Sequence, residues 1–397
     1  MIAEFMPCVP SGKVKAPPSK SAAHRYLISA FLSGGECRLD NIALSEDIKA
    51  TIGCLEKLGV SAEYNGDSVI IKPSSPKKGV LNCNESGSTL RFLIPIALTK
   101  NEEITFTGSK KLFERPLNVY EEIARDNGFI FDKKDNILTV KGLLKSGRYL
   151  VKGDISSQFI TGLIFGLSTL SGESIIEVIP PFESRSYVNI TLSVIKRFGI
   201  SAELSGNEIK IKGGEKYIPQ NITVEGDYSN AAYIEALSFL GGDVSVSGLG
   251  TTEQGDAIYK SYFKKLKSYA ELDITDCPDL GPVLIAVAAA ESGARLTGTK
   301  RLAVKESDRG AAMAAELEKF GVTIKCLDNE IIIEKAELQK PEKTLSSHND
   351  HRILMALAVL LCKTGGKISG AEAVRKSFPD YFDIIKSLGA KVGLKED

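Results

Sequence analysis

Three arginines of this 397-residue chain lie inside apolar sequence: Arg25 in SAAHRYLI, Arg91 in STLRFLIP and Arg352 in NDHRILMA. A charge buried there must be paired or must meet a ligand, because taking it out of water alone is costly. Lys20, Arg115, Lys305 with Glu306 and Arg309, and Lys376 stand beside similar polar clusters. Guanidinium and ammonium groups suit phosphate and carboxylate, and Arg can grip either in a bidentate way. The chemistry predicted from these residues is the binding of small anions.

The clusters recur. Pro17, Glu85, Gly153, Gly226, Pro278 and His348 each open a polar, mostly hydroxyl-rich segment that runs into an apolar helix, with starts 68, 68, 73, 52 and 70 residues apart. At such a helix start the free backbone N–H groups and the positive end of the helix dipole favour an anion, although Ser, Thr, Asp and Asn also serve there simply as caps. After each apolar helix come a small-residue turn, a short alternating strand and an amphipathic helix ending in Leu-Gly or Phe-Gly. A hairpin around NG, DN or GN then follows. The unit reads β-α-β-α-β-β six times, shortened in the fourth copy and without a full hairpin in the sixth. Irregular lengths and all-apolar first helices point to compact domains rather than a solenoid. The expected division is a three-unit domain over residues 19–225 and a second made of 1–18 with 226–397. The N-terminal strand, Met6 to Lys15, is assigned to the incomplete sixth unit.

Composition narrows the partners. Lys+Arg and Asp+Glu both number 50, which gives a nucleic acid or an anionic membrane no general attraction. The longest apolar run, ILMALAVLLC from Ile353, has 10 residues where a bilayer span needs roughly 18 to 20. The opening MIAEFMPCVP has no basic or apolar leader segment, so a soluble cytoplasmic protein is expected. Seven Cys without a CxxC argue for reduced, mostly buried thiols. His348 and His351 mimic a two-histidine metal pair but have no companion cluster, and GxGxxG and GxxxxGK[ST] loops are absent, so neither metal nor cofactor is expected.

PPSKSAAHR (17–25), GDISSQF (153–159), VEGDYSNAAY (224–233), QGD (254–256), VKESDR (304–309), NDHR (349–352) and KSFPDYF (376–382) occur in the order of the 5-enolpyruvylshikimate-3-phosphate synthase family. The chain resembles that family from about residue 10 to 390, with VKESDR, NDHR and KSFPDYF the most specific together. The resemblance implies a two-domain inside-out α/β barrel of six units, three per domain with pseudo-threefold symmetry, closing on ligands at an interdomain cleft. It implies a monomer that works on two small anions, and the family is the glyphosate target. The implied reaction moves the enolpyruvyl group of phosphoenolpyruvate to the 5-hydroxyl of shikimate 3-phosphate, on the route to chorismate and aromatic amino acids.

By resemblance, Lys20, Ser21, Arg25, Ser156, Ser157, Gln158, Ser184, Asp279 and Lys305 contact shikimate 3-phosphate. Lys20, Gly87, Arg115, Gln158, Arg309, Arg352 and Lys376 hold phosphoenolpyruvate, with Arg91 supporting the glycine loop. The reaction needs a base for the hydroxyl and an acid for the methylene carbon. Asp279, at the start of an apolar helix, is the expected base; Glu306 and Lys20 are the candidate acids. The chain departs from the family pattern at Glu85, where Asn is common, at Phe92, where Pro is frequent, and at Arg301, where a substrate-contacting Asn is usual. A sister transferase acting on UDP-N-acetylglucosamine is the alternative enzyme, and a noncatalytic anion-binding scaffold the alternative class. The sister usually carries a reactive Cys in its first large domain, whereas residues 84–276 here contain none.

Overall fold

The computed structural model describes residues 1–396. They divide into two compact units, Pro18–Glu225 and Met1–Pro17 with the chain from Gly226 on. Each unit has its own apolar core, and both are α/β with mixed sheets.

The sheet of Arg148–Lys152 illustrates the pattern in the first unit. That strand runs parallel to Ser174–Ile179, which pairs antiparallel with Glu208–Ile211, itself hairpinned to Ala202–Ser205. Helix Ser157–Leu167 makes the crossover between the parallel pair, and helix Arg185–Arg197 precedes the hairpin. The sheet of Ile104–Thr107 repeats this order. The sheet of Cys37–Asp40 also does so, but takes its first strand from the far end of the unit, Ile222–Thr223.

In the other unit the sheet of Ala294–Thr297 follows the same plan. The N-terminal strand needs correcting. Pro7 and Pro10 offer no amide hydrogen to a sheet ladder, and between them the chain passes from one sheet to another. Ile2–Met6 lies between Gly366–Ser369 and Lys391–Lys395, filling the place of the missing hairpin strand in the sixth unit. Ser11–Lys15 pairs instead with Asp243–Ser247 of the fourth unit. That fourth unit keeps only this two-stranded sheet, since Tyr259–Lys265 leads directly to Ala270–Asp273 with no hairpin between them. The full β-α-β-α-β-β order is thus absent there.

The first helix of each unit is apolar on nearly every side and is accordingly buried, as with GPVLIAVAAA in Gly281–Ala290. Close packing of Ser157–Leu167 on Gly87–Ala97 depends on glycine. A methyl group at Gly166 would come 2.8 Å from Pro95 Cβ. No described helix is long and apolar enough to cross a membrane.

Candidate active site

Asp279 occupies a single 3-10 turn, Pro278–Leu280, at the mouth of helix Gly281–Ala290. Its side chain does not cap that helix, which has Leu280 at its cap position and no side-chain cap bond. The carboxylate faces cations instead. Oδ1 accepts from Arg309 Nη1 at 2.8 Å and from Lys305 Nζ at 3.2 Å, while Arg352 Nη2 lies 3.7 Å from Oδ2. Burial alone would raise the Asp279 carboxyl, but Lys305, Arg352 and Arg309 together hold it well below its ordinary range. The same burial lowers the Lys305 ammonium, with Asp279 opposing and Arg301 adding to the shift.

Arg309 is the hub of this cluster. Only 1% exposed, it also donates through Nε to Asp350 Oδ2 at 3.0 Å and through Nη2 to Glu306 Oε2 at 2.8 Å. Burial disfavours its charge, yet Asp350, Glu306 and Asp279 outweigh burial and keep the guanidinium firmly protonated. Asp350 serves three groups: besides Arg309 it accepts from Ser307 Oγ at 3.0 Å and caps helix His351–Thr364 by taking the Arg352 N–H at 2.8 Å. Arg352 stacks over Tyr233 and donates Nη1 to Asn230 Oδ1 at 3.2 Å, while its buried Nε and Asn230 Nδ2 have no hydrogen-bond partner. Lys376 Nζ donates to the Asn349 carbonyl at 2.7 Å.

The loop that carries Asn349 and Asp350 is itself held. His348 and Asn349 both have positive φ, 51° and 54°, an uncommon setting that Asn and His enter more readily than most residues other than glycine. Buried Glu316 ties it down, taking the Ser346 N–H at 3.0 Å and hydrogen-bonding His348 Nε2 at 2.9 Å. We expect Glu316→Leu to cost about 1–3 kcal/mol by leaving these donors unsatisfied. Thermal melting checks this, and an unchanged midpoint would rule out the anchoring role.

In the Pro18–Glu225 unit the predicted residues form separate groups. Lys20, in the first turn of Lys20–Ser33, donates Nζ to Asp47 Oδ2 at 2.8 Å, and Ser19 caps that helix. Arg25 is committed inside the protein: Nε donates to Thr191 Oγ1 at 2.7 Å, Nη1 to the Ser21 carbonyl at 2.6 Å and Nη2 to the Tyr187 carbonyl at 3.0 Å. Burial lowers it to about 10. Its packing on Phe92 shows that this departure from the family pattern is absorbed by the core. Arg301 is also buried, in the 3-10 helix Lys300–Val304 of the other unit.

A second group centres on Gly87. Arg91 donates Nη1 to Gln158 Oε1 at 2.6 Å and Nη2 to the Pro116 carbonyl at 2.9 Å, and Gln158 Nε2 donates to Ser88 Oγ at 3.0 Å. A Cβ on Gly87 would stand 3.0 Å from Nη1 of both Arg91 and Arg115. Ser86 and Ser156 cap the helices that begin at Gly87 and Ser157. Ser157 is buried, half-exposed Glu85 precedes the first of these helices, and buried Ser184 opens Arg185–Arg197 in the left-handed conformation, φ 53°.

The family model described as EPSP synthase (3-phosphoshikimate 1-carboxyvinyltransferase) matches residues 9–269 and 252–385. The chain belongs to the EPSP synthase family. Among its relatives, the 3-phosphoshikimate 1-carboxyvinyltransferase of Clostridium kluyveri is 41% identical over 96% of each chain. That of Clostridioides difficile is 38% identical, again over 96% of each. An EPSP synthase structure from Acinetobacter baumannii has a TM-score of 0.82 over the whole of both chains, with 22% identity, a likeness in fold.

Within this family member, Asp279, Lys305, Glu306, Arg309 and Arg352 form one cluster, and Lys376 is linked to it through the Asn349–Asp350 loop. Gly87, Arg91, Arg115 and Gln158 form another. The sequence reading missed Asp350, Asn230 and Glu316. NDHR and VEGDYSNAAY contain the first two, but nothing in either segment distinguishes a cap from a partner of a distant arginine. Glu316, in AAMAAELEKF, has the look of an ordinary surface acid.

Proposed function

We propose that this chain transfers the enolpyruvyl group of phosphoenolpyruvate to the 5-hydroxyl of shikimate 3-phosphate, releasing phosphate. The observation that carries this reading is the meeting of Asp279 with Lys305, Arg309 and Arg352, one carboxylate among three cations. Both substrates carry a phosphate and a carboxylate, the groups such cations recognise.

In the addition step the 5-hydroxyl oxygen bonds to C2 of phosphoenolpyruvate and its proton passes to Asp279. A proton from Glu306 or Lys20 reaches the methylene carbon, giving a methyl group and a tetrahedral centre. In the elimination the methyl group returns a proton, the bond to the phosphate oxygen breaks, and phosphate leaves with its proton restored. The cations that depress Asp279 are those assigned to the substrates' anions. Each one drawn to a phosphate or carboxylate leaves the Asp279 carboxylate more basic, which couples binding to catalysis.

Lys20, Ser21, Arg25, Ser156, Ser157, Gln158, Ser184, Asp279 and Lys305 are assigned to shikimate 3-phosphate, and Lys20, Gly87, Arg115, Gln158, Arg309, Arg352 and Lys376 to phosphoenolpyruvate. Arg25 also ties the Lys20–Ser33 helix to Arg185–Arg197, each of its three nitrogens donating to a protein oxygen. Gly87→Ala tests the second set. The added methyl group displaces the Arg91 and Arg115 guanidinium tips, so KM for phosphoenolpyruvate should rise about tenfold, or ~1.4 kcal/mol. Equal loss for both substrates would point away from a local effect.

The finer fold reading, an inside-out α/β barrel with three units about a pseudo-threefold axis in each half, is supported by the repeated sheet order and by first helices buried on nearly every side. The decisive assay is phosphate release from phosphoenolpyruvate with shikimate 3-phosphate, with UDP-N-acetylglucosamine, or with neither. Release only in the first case supports the reading. Release with the nucleotide sugar, or in no case, overturns it.

A further inference from the structure

Cys8 lies in the Pro7–Pro10 link between strands Ile2–Met6 and Ser11–Lys15, and Cys362 near the end of helix His351–Thr364. The Cys8 N–H donates to the Cys362 carbonyl at 2.8 Å, which makes the two residues neighbours and brings their thiols close enough to influence each other. Cys362 is buried, Cys8 half-buried, and both line a cavity of about 430 Å³ together with Pro7, Leu237, Leu240 and Val359.

The two thiols are electrostatically unequal. The neighbouring Cys362 thiol, helped by the backbone and charge of Lys391, lowers Cys8 to about 6 against the opposing effect of burial. The same pairing, with burial, pushes Cys362 up. Lys363 also lines the cavity, and the Tyr381 side chain lies on the Cys362 side. A half-buried nucleophilic thiolate beside a thiol that can resolve it is the arrangement of a reactive dithiol. The other cysteines differ. Cys54 and Cys83 form a fully enclosed pair in which burial pushes Cys83 up, and exposed Cys326 is raised rather than lowered.

We propose that Cys8 and Cys362 are a peroxide-reactive dithiol, a modification site separate from the substrate-binding residues. The Cys8 thiolate attacks one peroxide oxygen and the O–O bond breaks, giving a sulfenic acid and hydroxide, which leaves as water with the proton the thiol released on ionising. The Cys362 sulfur then attacks the Cys8 sulfur, its proton leaving with the expelled hydroxide as a second water. Two thiols supply the two electrons that reduce hydrogen peroxide, and the disulfide ties the N-terminal link to the helix whose first turn carries Arg352.

The test treats the full chain with hydrogen peroxide, blocks the remaining thiols with N-ethylmaleimide and maps the peptides by mass. The wild-type chain should lose two of its seven thiols, yield a dithiothreitol-reversible Cys8–Cys362 cross-link, and lose Cys8 on the order of tenfold faster than Cys326. In Cys362→Ser, dimedone should trap Cys8 sulfenic acid without a cross-link; in Cys8→Ser, Cys362 should survive. Cys8 loss no faster than that of Cys326, or as much dimedone adduct in the wild type as in Cys362→Ser, overturns the proposal. The wild-type map decides the matter even if a variant folds poorly.

Discussion

Asp279→Asn should lower kcat by about 10²- to 10⁴-fold, the usual worth of a positioned general base. The amide keeps the shape of the side chain and an oxygen for Arg309 Nη1 and Lys305 Nζ, now at 2.8 and 3.2 Å. It cannot take a proton from the substrate hydroxyl. Phosphate release at saturating substrates measures this, and a kcat close to wild type would remove Asp279 from the base role.

The same substitution has a pH signature. Because the folded state lowers the Asp279 carboxyl, its ionised form contributes stability, fully present above the ordinary value of 3.8 and lost as pH falls toward the lower folded value. Asp279→Asn should therefore melt below wild type near neutral pH, and the gap should narrow in acid below about pH 4. With the side chain 20% exposed, solvent screening moderates the effect. Melting curves from neutral to acid pH check the sign. A gap that widens in acid would contradict the ion-pair account.

Asp350→Ala should be the most destabilising single change at this cluster, costing about 3–5 kcal/mol. The carboxylate is fully buried and serves Arg309, Ser307 and the Arg352 amide together. Loss of the helix cap alone would cost about 1 kcal/mol. The larger figure arises because Arg309 stays buried with one of its three carboxylates gone. Each unit has its own core, so chemical unfolding need not be a single transition. The shift should fall on the unit that contains residue 350. A loss no larger than the cap value would mean that Arg309 is satisfied by Glu306 and Asp279. Asp350→Asn, which keeps the capping oxygen, should lose less.

Much of the architecture was legible because it is local. A capping hydroxyl followed by an apolar run declares a helix start, and the caps at Ser19, Ser86, Ser156, Asp227 and Asp350 stand where those clusters occur. Leu-Gly ahead of an alternating pair declares a helix end and a hairpin, as at Gly59 between Glu46–Leu58 and Val60–Asn65. The two prolines at 7 and 10 were equally visible, but which sheet each flanking strand joins is set by partners more than 200 residues away in sequence.

Arginines in apolar sequence announced by themselves that each needs a partner or a ligand, because an isolated buried charge is too costly. That conclusion held for Arg25, Arg91 and Arg352 alike. Which protein groups each one meets was decided by tertiary structure. Arg25 finds Thr191, 166 residues along the chain. Arg309 gathers Asp279 and Asp350, 30 and 41 residues away, into a charged cluster that depresses Asp279. Helical and strand periods report which face of an element is buried. They carry no record of which distant group meets that face, since such meetings depend on how whole helices pack.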